Sequence, residues 1–252
     1  MKIMEHIESL SAEGRLMADA AEEAGTGAPV PTCPGWRVRD LLDHTAAVHR
    51  WAAAFVTEGH RAYVPETEVP ELDGIALVDR FRAGHQHLVT ALENAPEDLE
   101  CWTFLPAPSP LAFWARRQAH ETRVHRFDAE SALGRTPAPV APAHAEDGLD
   151  ELLRGFHARP KSRVRTDVPR TLRIRTTDTG AVWDVRLTTE PPAAVRLDAT
   201  EDRAEHTARA DCEVAATAGQ LYLALWNRAP LDALPATGDT DLVRLWQEHS
   251  AI

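Results

Sequence analysis

Apolar or small residues recur every three or four positions from Ile3 through Ile7, Leu10, Gly14, Met17 and Ala21, which is the period of one face of an α-helix. The pattern stops at "GTGAPVPTCPG", where Pro34 and Gly35 make a rigid turn before Trp36. A second helical stripe follows in Leu41, Val48, Trp51 and Phe55, and a third in Ile75, Val78, Phe81, Leu88 and Leu92. A fourth runs from about Leu111 to Leu133, with Gly134 placed to end it as a C-cap. Four helices of this length imply a bundle. The pattern then changes. The stretch "GRTPAPVAPAHAEDG", residues 134–148, is rich in proline and without apolar period, and reads as a linker. Beyond it "RTLRIRTTDTGAVWDVRLTTE" alternates as strands do, with Leu172 and Ile174 on one side of the turn "DTGA" and Val182, Val185 and Leu187 on the other, which predicts a hairpin. The tail "AGQLYLALWNRAPLDALPATGDTDLVRLWQEHS" returns to helical spacing. The fold class is therefore α+β, with a helical bundle over residues 1–140 and a small second domain over 146–252 that mixes a sheet with helices.

Charge narrows the partners. The 252 residues carry 27 Lys and Arg against 39 Asp and Glu, a net charge of −12, the opposite of the basic footprint of a general nucleic-acid binder. Small molecules are the expected partners, with no nucleic acid and no membrane, for a monomer or weak homodimer. Cys33, Cys101 and Cys212 are odd in number, far apart and without a Cys-x-x-Cys pair, as expected of reduced thiols in the cytosol. The start "MKIMEHIESL" interrupts any apolar run with charges, and no later segment approaches the ~18 apolar residues of a membrane span, so a cytoplasmic protein is expected.

The stretch "AHETRVHRFDAE", residues 119–130, at first resembles a zinc-protease helix. That signature needs two histidines four residues apart. His120 and His125 are five apart, so they diverge by roughly 140° around a helix and cannot easily share an ion. Glu121 and His125 are four apart and diverge by only about 40°. Two readings stay open for them: members of an exposed ladder of pairs, Arg117, Glu121, His125 and Asp128, or metal ligands. His44 lies on the apolar stripe of the second helix, between Leu41, Val48 and Trp51, and points inward as a core histidine or as a ligand. His85 sits similarly between Phe81 and Leu88, whereas His49, His60, His87 and His120 look like surface residues. If the helices are neighbours, His44 joins Glu121 and His125 in a site of two imidazoles and one carboxylate with an open position, the arrangement of catalytic rather than structural zinc. Asp40, one turn before His44, is either an acceptor that fixes its tautomer or a surface charge.

The stretches "PTCPGWRVRDLLDHTAAVHRW" and "FWARRQAHETRVHRFDAESALG" resemble the two metal motifs of the mycothiol-dependent maleylpyruvate isomerase family, a relative of the DinB-like helical bundles. "LYLALWNRAPLDALPATGD" is similar to the small α/β domain, akin to sterol carrier proteins, that follows the bundle in that family. The resemblance implies a divalent metal, zinc, held by His44, Glu121 and His125. It further implies mycothiol or another low-molecular-weight thiol as cofactor and an electrophilic small molecule as substrate. The reaction it implies is addition of the thiolate to an unsaturated dicarbonyl acid, rotation about the new single bond, and expulsion of the thiolate to leave the trans isomer.

Such a reaction develops negative charge, for which an arginine is useful. Arg228 in "WNRAPLDAL" is the candidate, with a solvent-facing arginine as the alternative. Gly238 and Asp239 read as a turn and a helix cap, and the arginine-rich run from Arg154 to Arg175 as a solvated sheet face. Two other functions remain open: thiol S-transfer to an electrophile at the same site, and a non-catalytic carrier or sensor whose metal, with a fourth ligand such as His85, only staples the bundle.

Overall fold

The computed structural model describes residues 1–67, 69–197 and 210–251. They fall into two compact units, Met1–Ala138 and Pro139–Ile252. In the first, four helices form the bundle: α1 (Ile3–Ala24), α2 (Val38–Glu58), α3 (Gly74–Glu93) and α4 (Pro110–Ser131). Each starts where a side chain can take up free backbone N–H groups. Asp73 accepts from Gly74 N in α3, and Ser109 Oγ accepts from Ala112 N at 3.1 Å in α4, with Pro110 following at the first helical position. Asp40 Oδ2 accepts from Arg37 N at 2.7 Å, so this carboxylate caps α2 instead of serving His44.

The stripes meet as their period predicts. Ile7, Leu10, Met17, Leu41, Leu42, Phe55, Leu77, Phe81 and Trp114 are fully buried, each worth about 1.5–3 kcal/mol of burial. Ile75 is the exception in its stripe: it lies in the first turn of α3 and is 57% exposed. Gly14 belongs to the buried face of α1 for a steric reason, since a Cβ there would come within 2.2 Å of the His85 ring. Helix α4 is unusual: Arg117, Gln118, His120, Thr122, Arg123, His125 and Asp128 are buried on it beside apolar residues. Of the two readings left open, the exposed ladder does not hold: Arg117, His125 and Asp128 are buried and Glu121 is part-buried, which requires partners for their charges. Arg126 meets Glu13 at 2.9 Å and Glu130 at 2.8 Å.

The second unit opens with α5 (Pro142–Glu151), which continues into one wide π turn at Leu152–Phe156. This corrects the linker reading of residues 134–148: Pro142 stands at the start of the helix, where a missing N–H costs nothing. A five-stranded sheet follows, of β1 (Arg170–Thr176), β2 (Val182–Leu187), β3 (Ala193–Leu197), β4 (Cys212–Ala216) and β5 (Ala236–Gly238), in the order β3-β2-β1-β4-β5. The expected hairpin is β1–β2, with Leu172 opposite Val185 and Ile174 opposite Trp183; β1 pairs with β4 in parallel. Helices α6 (Ala218–Leu225) and α7 (Asp241–His249) complete the unit.

Alternation gives the sheet one buried face, with Leu172, Ile174, Val185 and Val214. The other carries the arginines as ion pairs: Arg173 makes a two-pronged bond to Asp184 at 2.6 and 2.7 Å, and Arg175 meets Glu213. Gly238 (φ 90°) packs so close to the Asp211 carbonyl that a Cβ would lie 2.2 Å from it, while Asp239 Oδ1 accepts from Asp241 N at the head of α7. Cys33, Cys101 and Cys212 are unbridged. Among the described residues no helix is long and apolar enough to cross a membrane.

Candidate metal centre

Packing α2 against α4 brings together three side chains that are 77 and 4 residues apart in the chain. His44 Nε2 lies 3.3 Å from Glu121 Oε1, and His125 Nε2 lies 3.2 Å from the same oxygen. The two rings stand nearly perpendicular with centroids 5.0 Å apart. One ligand atom from each residue lies within 4.8 Å of the other two, close enough for a single ion to bind all three. Exposure grades across the group: the His125 side chain is 8% exposed, Glu121 22% and His44 40%, so the centre is reached from the His44 side.

Behind it lies a second layer. His125 Nδ1 donates to Asp128 Oδ2 at 2.9 Å, and Thr32 Oγ1 donates to Asp128 Oδ1 at 2.6 Å. The Asp128 side chain is fully buried. This bond fixes the ring so that Nε2 faces the shared point, the usual way a carboxylate orients a ligating histidine. Arg117 Nη2 donates to the other oxygen of Glu121 at 3.3 Å. Trp36 stacks on the His125 ring at 6.5 Å and meets His44 edge-on at 5.4 Å. The turn that ends "PTCPGW", with Gly35 at φ 88° and Trp36 N bonded to Cys33 O, therefore delivers both Thr32 and Trp36 to the centre.

The electrostatics follow from this geometry. Burial alone would raise the Glu121 carboxyl, but hydrogen bonds from His125 and His44 and the charges of His125 and Arg117 hold it well below the usual carboxylate range. Burial likewise opposes charge on His125, yet bonds to Asp128 and Glu121 push it up to about 9. Two imidazole nitrogens and a carboxylate oxygen, with one imidazole backed by a buried carboxylate, are the donor types that zinc takes in three-ligand sites. The residues present thus fit a divalent ion.

Other histidines depart from expectation. His49 and His120 are fully buried, not on the surface. His49 Nε2 bonds Thr122 Oγ1 at 2.9 Å, and burial, with His85 nearby, holds its ring well below the usual histidine value. His85 lies over Gly14 with Nε2 3.3 Å from Ser11 O, and it is not part of the group formed by His44, Glu121 and His125. Arg228 lies in the second unit on the turn after α6, where its Nη1 donates to Trp226 O at 2.9 Å. The sequence reading missed Thr32, Trp36 and the role of Asp128. The only signal for Asp128 was its i+3 spacing from His125, which in a solvated helix would mean a weak surface pair.

Two family models account for most of the chain. The mycothiol maleylpyruvate isomerase N-terminal domain matches residues 7–130, and the C-terminal domain of the same family matches residues 143–245. The fold is similar to the crystal structure of the mycothiol-dependent maleylpyruvate isomerase, with a TM-score of 0.62, and to that of a histidine-to-alanine mutant of it, with 0.63. Each is 12% identical, and each match covers 94% of this chain and 93% of the other. The curated proteins offer no match. Two consecutive domain matches, in the order and at the places of the two folded units, make this chain a member of the mycothiol maleylpyruvate isomerase family.

Proposed function

We propose that the chain is a zinc-dependent enzyme that uses mycothiol or a similar small thiol to isomerise an unsaturated dicarbonyl acid of the maleylpyruvate type from cis to trans. The observation that carries this reading is the convergence of His44, Glu121 and His125 beneath an accessible side, with Asp128 behind. The family name supports the thiol and the class of acid.

His44, Glu121 and His125 would hold the ion. A dication there supplies a centre that deprotonates a thiol near neutral pH. Asp128 holds one proton of His125 on Nδ1, so the proton given up to bind an ion is the one on Nε2, the atom that faces Glu121. The charges of Glu121 and Asp128 offset that of a dication in a part-buried place. Trp36 packs against the His44 and His125 rings and limits their orientation. Arg228 is assigned to anchor the substrate carboxylate or to stabilise the enolate that forms as the double bond is attacked. The 40% exposure of His44 favours catalysis over a metal that merely staples the bundle, because a structural site is closed. Thiol S-transfer would use the same residues and is separated from isomerisation by the product.

The test is elemental analysis of protein purified without chelator or metal-affinity resin, followed by assay with maleylpyruvate and thiol. About one zinc per chain, lost in Glu121→Ala together with thiol-dependent turnover, is expected. Absence of stoichiometric zinc even after its addition, or full activity in metal-free His44→Ala, would refute the proposal.

A further inference from the structure

The bundle core holds two imidazoles that the metal reading does not use. His49 on α2 is fully buried and His85 on α3 nearly so. Their rings lie 5.4 Å apart, and Phe81 packs against both, at 5.5 and 6.1 Å. His85 is fixed from α1, where its Nε2 donates to Ser11 O at 3.3 Å and Gly14 makes room for the ring. His49 reaches the other way, and its Nε2 shares a 2.9 Å hydrogen bond with Thr122 Oγ1 on α4. A line of contacts from Ser11 through His85 and His49 to Thr122 therefore crosses all four helices. It is a costly way to fill a core: Nδ1 of each ring is buried with no hydrogen-bond partner among the described residues, a penalty that an apolar side chain would avoid.

The α4 end of this line falls at the candidate metal centre. Thr122 follows Glu121 directly and stands three residues before His125, so the bond holds α4 between its two candidate ligands, while His49 stands five residues after His44 on α2. The 3.3 Å bond of His44 to Glu121 also joins these helices, but it is made by the atoms that would bind the ion and is given up when they do. The bond of His49 to Thr122 uses none of those atoms. We propose that His49 is a positioning residue of the candidate metal centre: through Thr122 it holds α2 and α4 at the separation at which His44, Glu121 and His125 meet. The inference rests on the metal reading given above. Three donors already in place lose little freedom when an ion binds, and groups behind the ligands are the usual source of that order. The ring does this without charge. Burial, and then His85, hold it well below the usual histidine value, so it brings no cation to compete with the ion for Glu121.

Zinc itself is the probe, and its affinity is measured by competition with a chromophoric chelator. His49→Leu removes the bond and keeps an apolar contact with Phe81. Thr122→Val removes it from the other side with almost no change of shape and leaves both rings alone. Each should weaken zinc binding about 10–100-fold. The double variant should be no weaker than either single one, because the two changes delete one shared bond. His49→Gln, whose amide takes the place of Nε2, should restore most of the affinity. Cobalt(II) in place of zinc should give visible absorption bands that differ from the wild type in His49→Leu and Thr122→Val and match it in His49→Gln. Wild-type zinc affinity in both bond-deleting variants overturns the inference, even if urea unfolding shows them less stable, since the line would then be core packing alone. Losses that add in the double variant and persist in His49→Gln overturn it as well. A wild-type protein that takes up no zinc refutes the metal reading and this inference together, whereas zinc that is lost in Glu121→Ala but bound normally by Thr122→Val and His49→Leu refutes this inference and leaves the metal reading standing.

Discussion

Asp128→Asn separates the charge behind the candidate metal centre from its shape. Asn is isosteric, its carbonyl can still accept from His125 Nδ1, and its amide can donate to Thr32 Oγ1, so the bonds at 2.9 and 2.6 Å keep partners while the negative charge is lost. Loss of a carboxylate behind a ligating histidine costs about 10–100-fold in intrinsic metal affinity. A second effect opposes it. His125, at about 9 in the metal-free protein, must give up a proton to bind an ion. At pH 7 that competition weakens zinc binding by about 100-fold, or about 2.7 kcal/mol at 1.36 kcal/mol per pH unit. Asp128 is among the causes of the raised value, so the substitution lowers it and relieves much of the competition. The variant should therefore bind zinc only modestly less well near pH 7 and fall further behind the wild type as pH rises toward 9. Calorimetry in buffers of different ionisation enthalpy reads the same effect directly: at pH 7.5 the wild type should release about one proton from His125 on binding, and Asp128→Asn clearly less. Equal proton release, with affinities that agree within about twofold from pH 6.5 to 8.5, would refute the role given to Asp128.

Gly14→Ala should cost about 1–3 kcal/mol, because the new Cβ meets the His85 ring at 2.2 Å; urea unfolding checks this, and the penalty should disappear in a His85→Ala background. His157 is buried and held at about 4 by that burial and by Arg159. Since the unfolded chain takes up a proton near 6.5 and the folded one does not, stability should be complete above that pH and fall by up to about 3 kcal/mol as pH drops toward 4. His157→Gln should flatten this part of the pH–stability curve, and an unchanged slope would refute it. Arg228→Gln should lower thiol-dependent turnover at least tenfold while leaving zinc content alone; unchanged kinetics would refute the role proposed for Arg228.

Helix periods and the pairing of Glu121 with His125 were legible because they are local: a 3.6-residue repeat places those two side chains on one face whatever surrounds them. The two motifs also carried the family, which the domain matches over residues 7–130 and 143–245 show. The β1–β2 hairpin was readable for the same reason, from alternation on both sides of a turn. Residues 142–148 were misread because proline marks both a linker and the first turn of a helix, and only packing distinguishes the two uses.

Tertiary structure alone decided which polar residues are inside. The polar sequence of α4 suggests a solvated helix, yet His120, Thr122, Arg123 and Asp128 are buried because each faces a neighbouring element. Thr32 and Asp128 are 96 residues apart and His44 and Glu121 are 77 apart, so no spacing rule could pair them. The sequence by itself determined the helices, the hairpin and the residue types able to bind a metal, since these depend on short-range geometry. The convergence of two helices on one oxygen of Glu121, and the buried carboxylate that orients His125, depend on long-range packing and exist only in the folded chain.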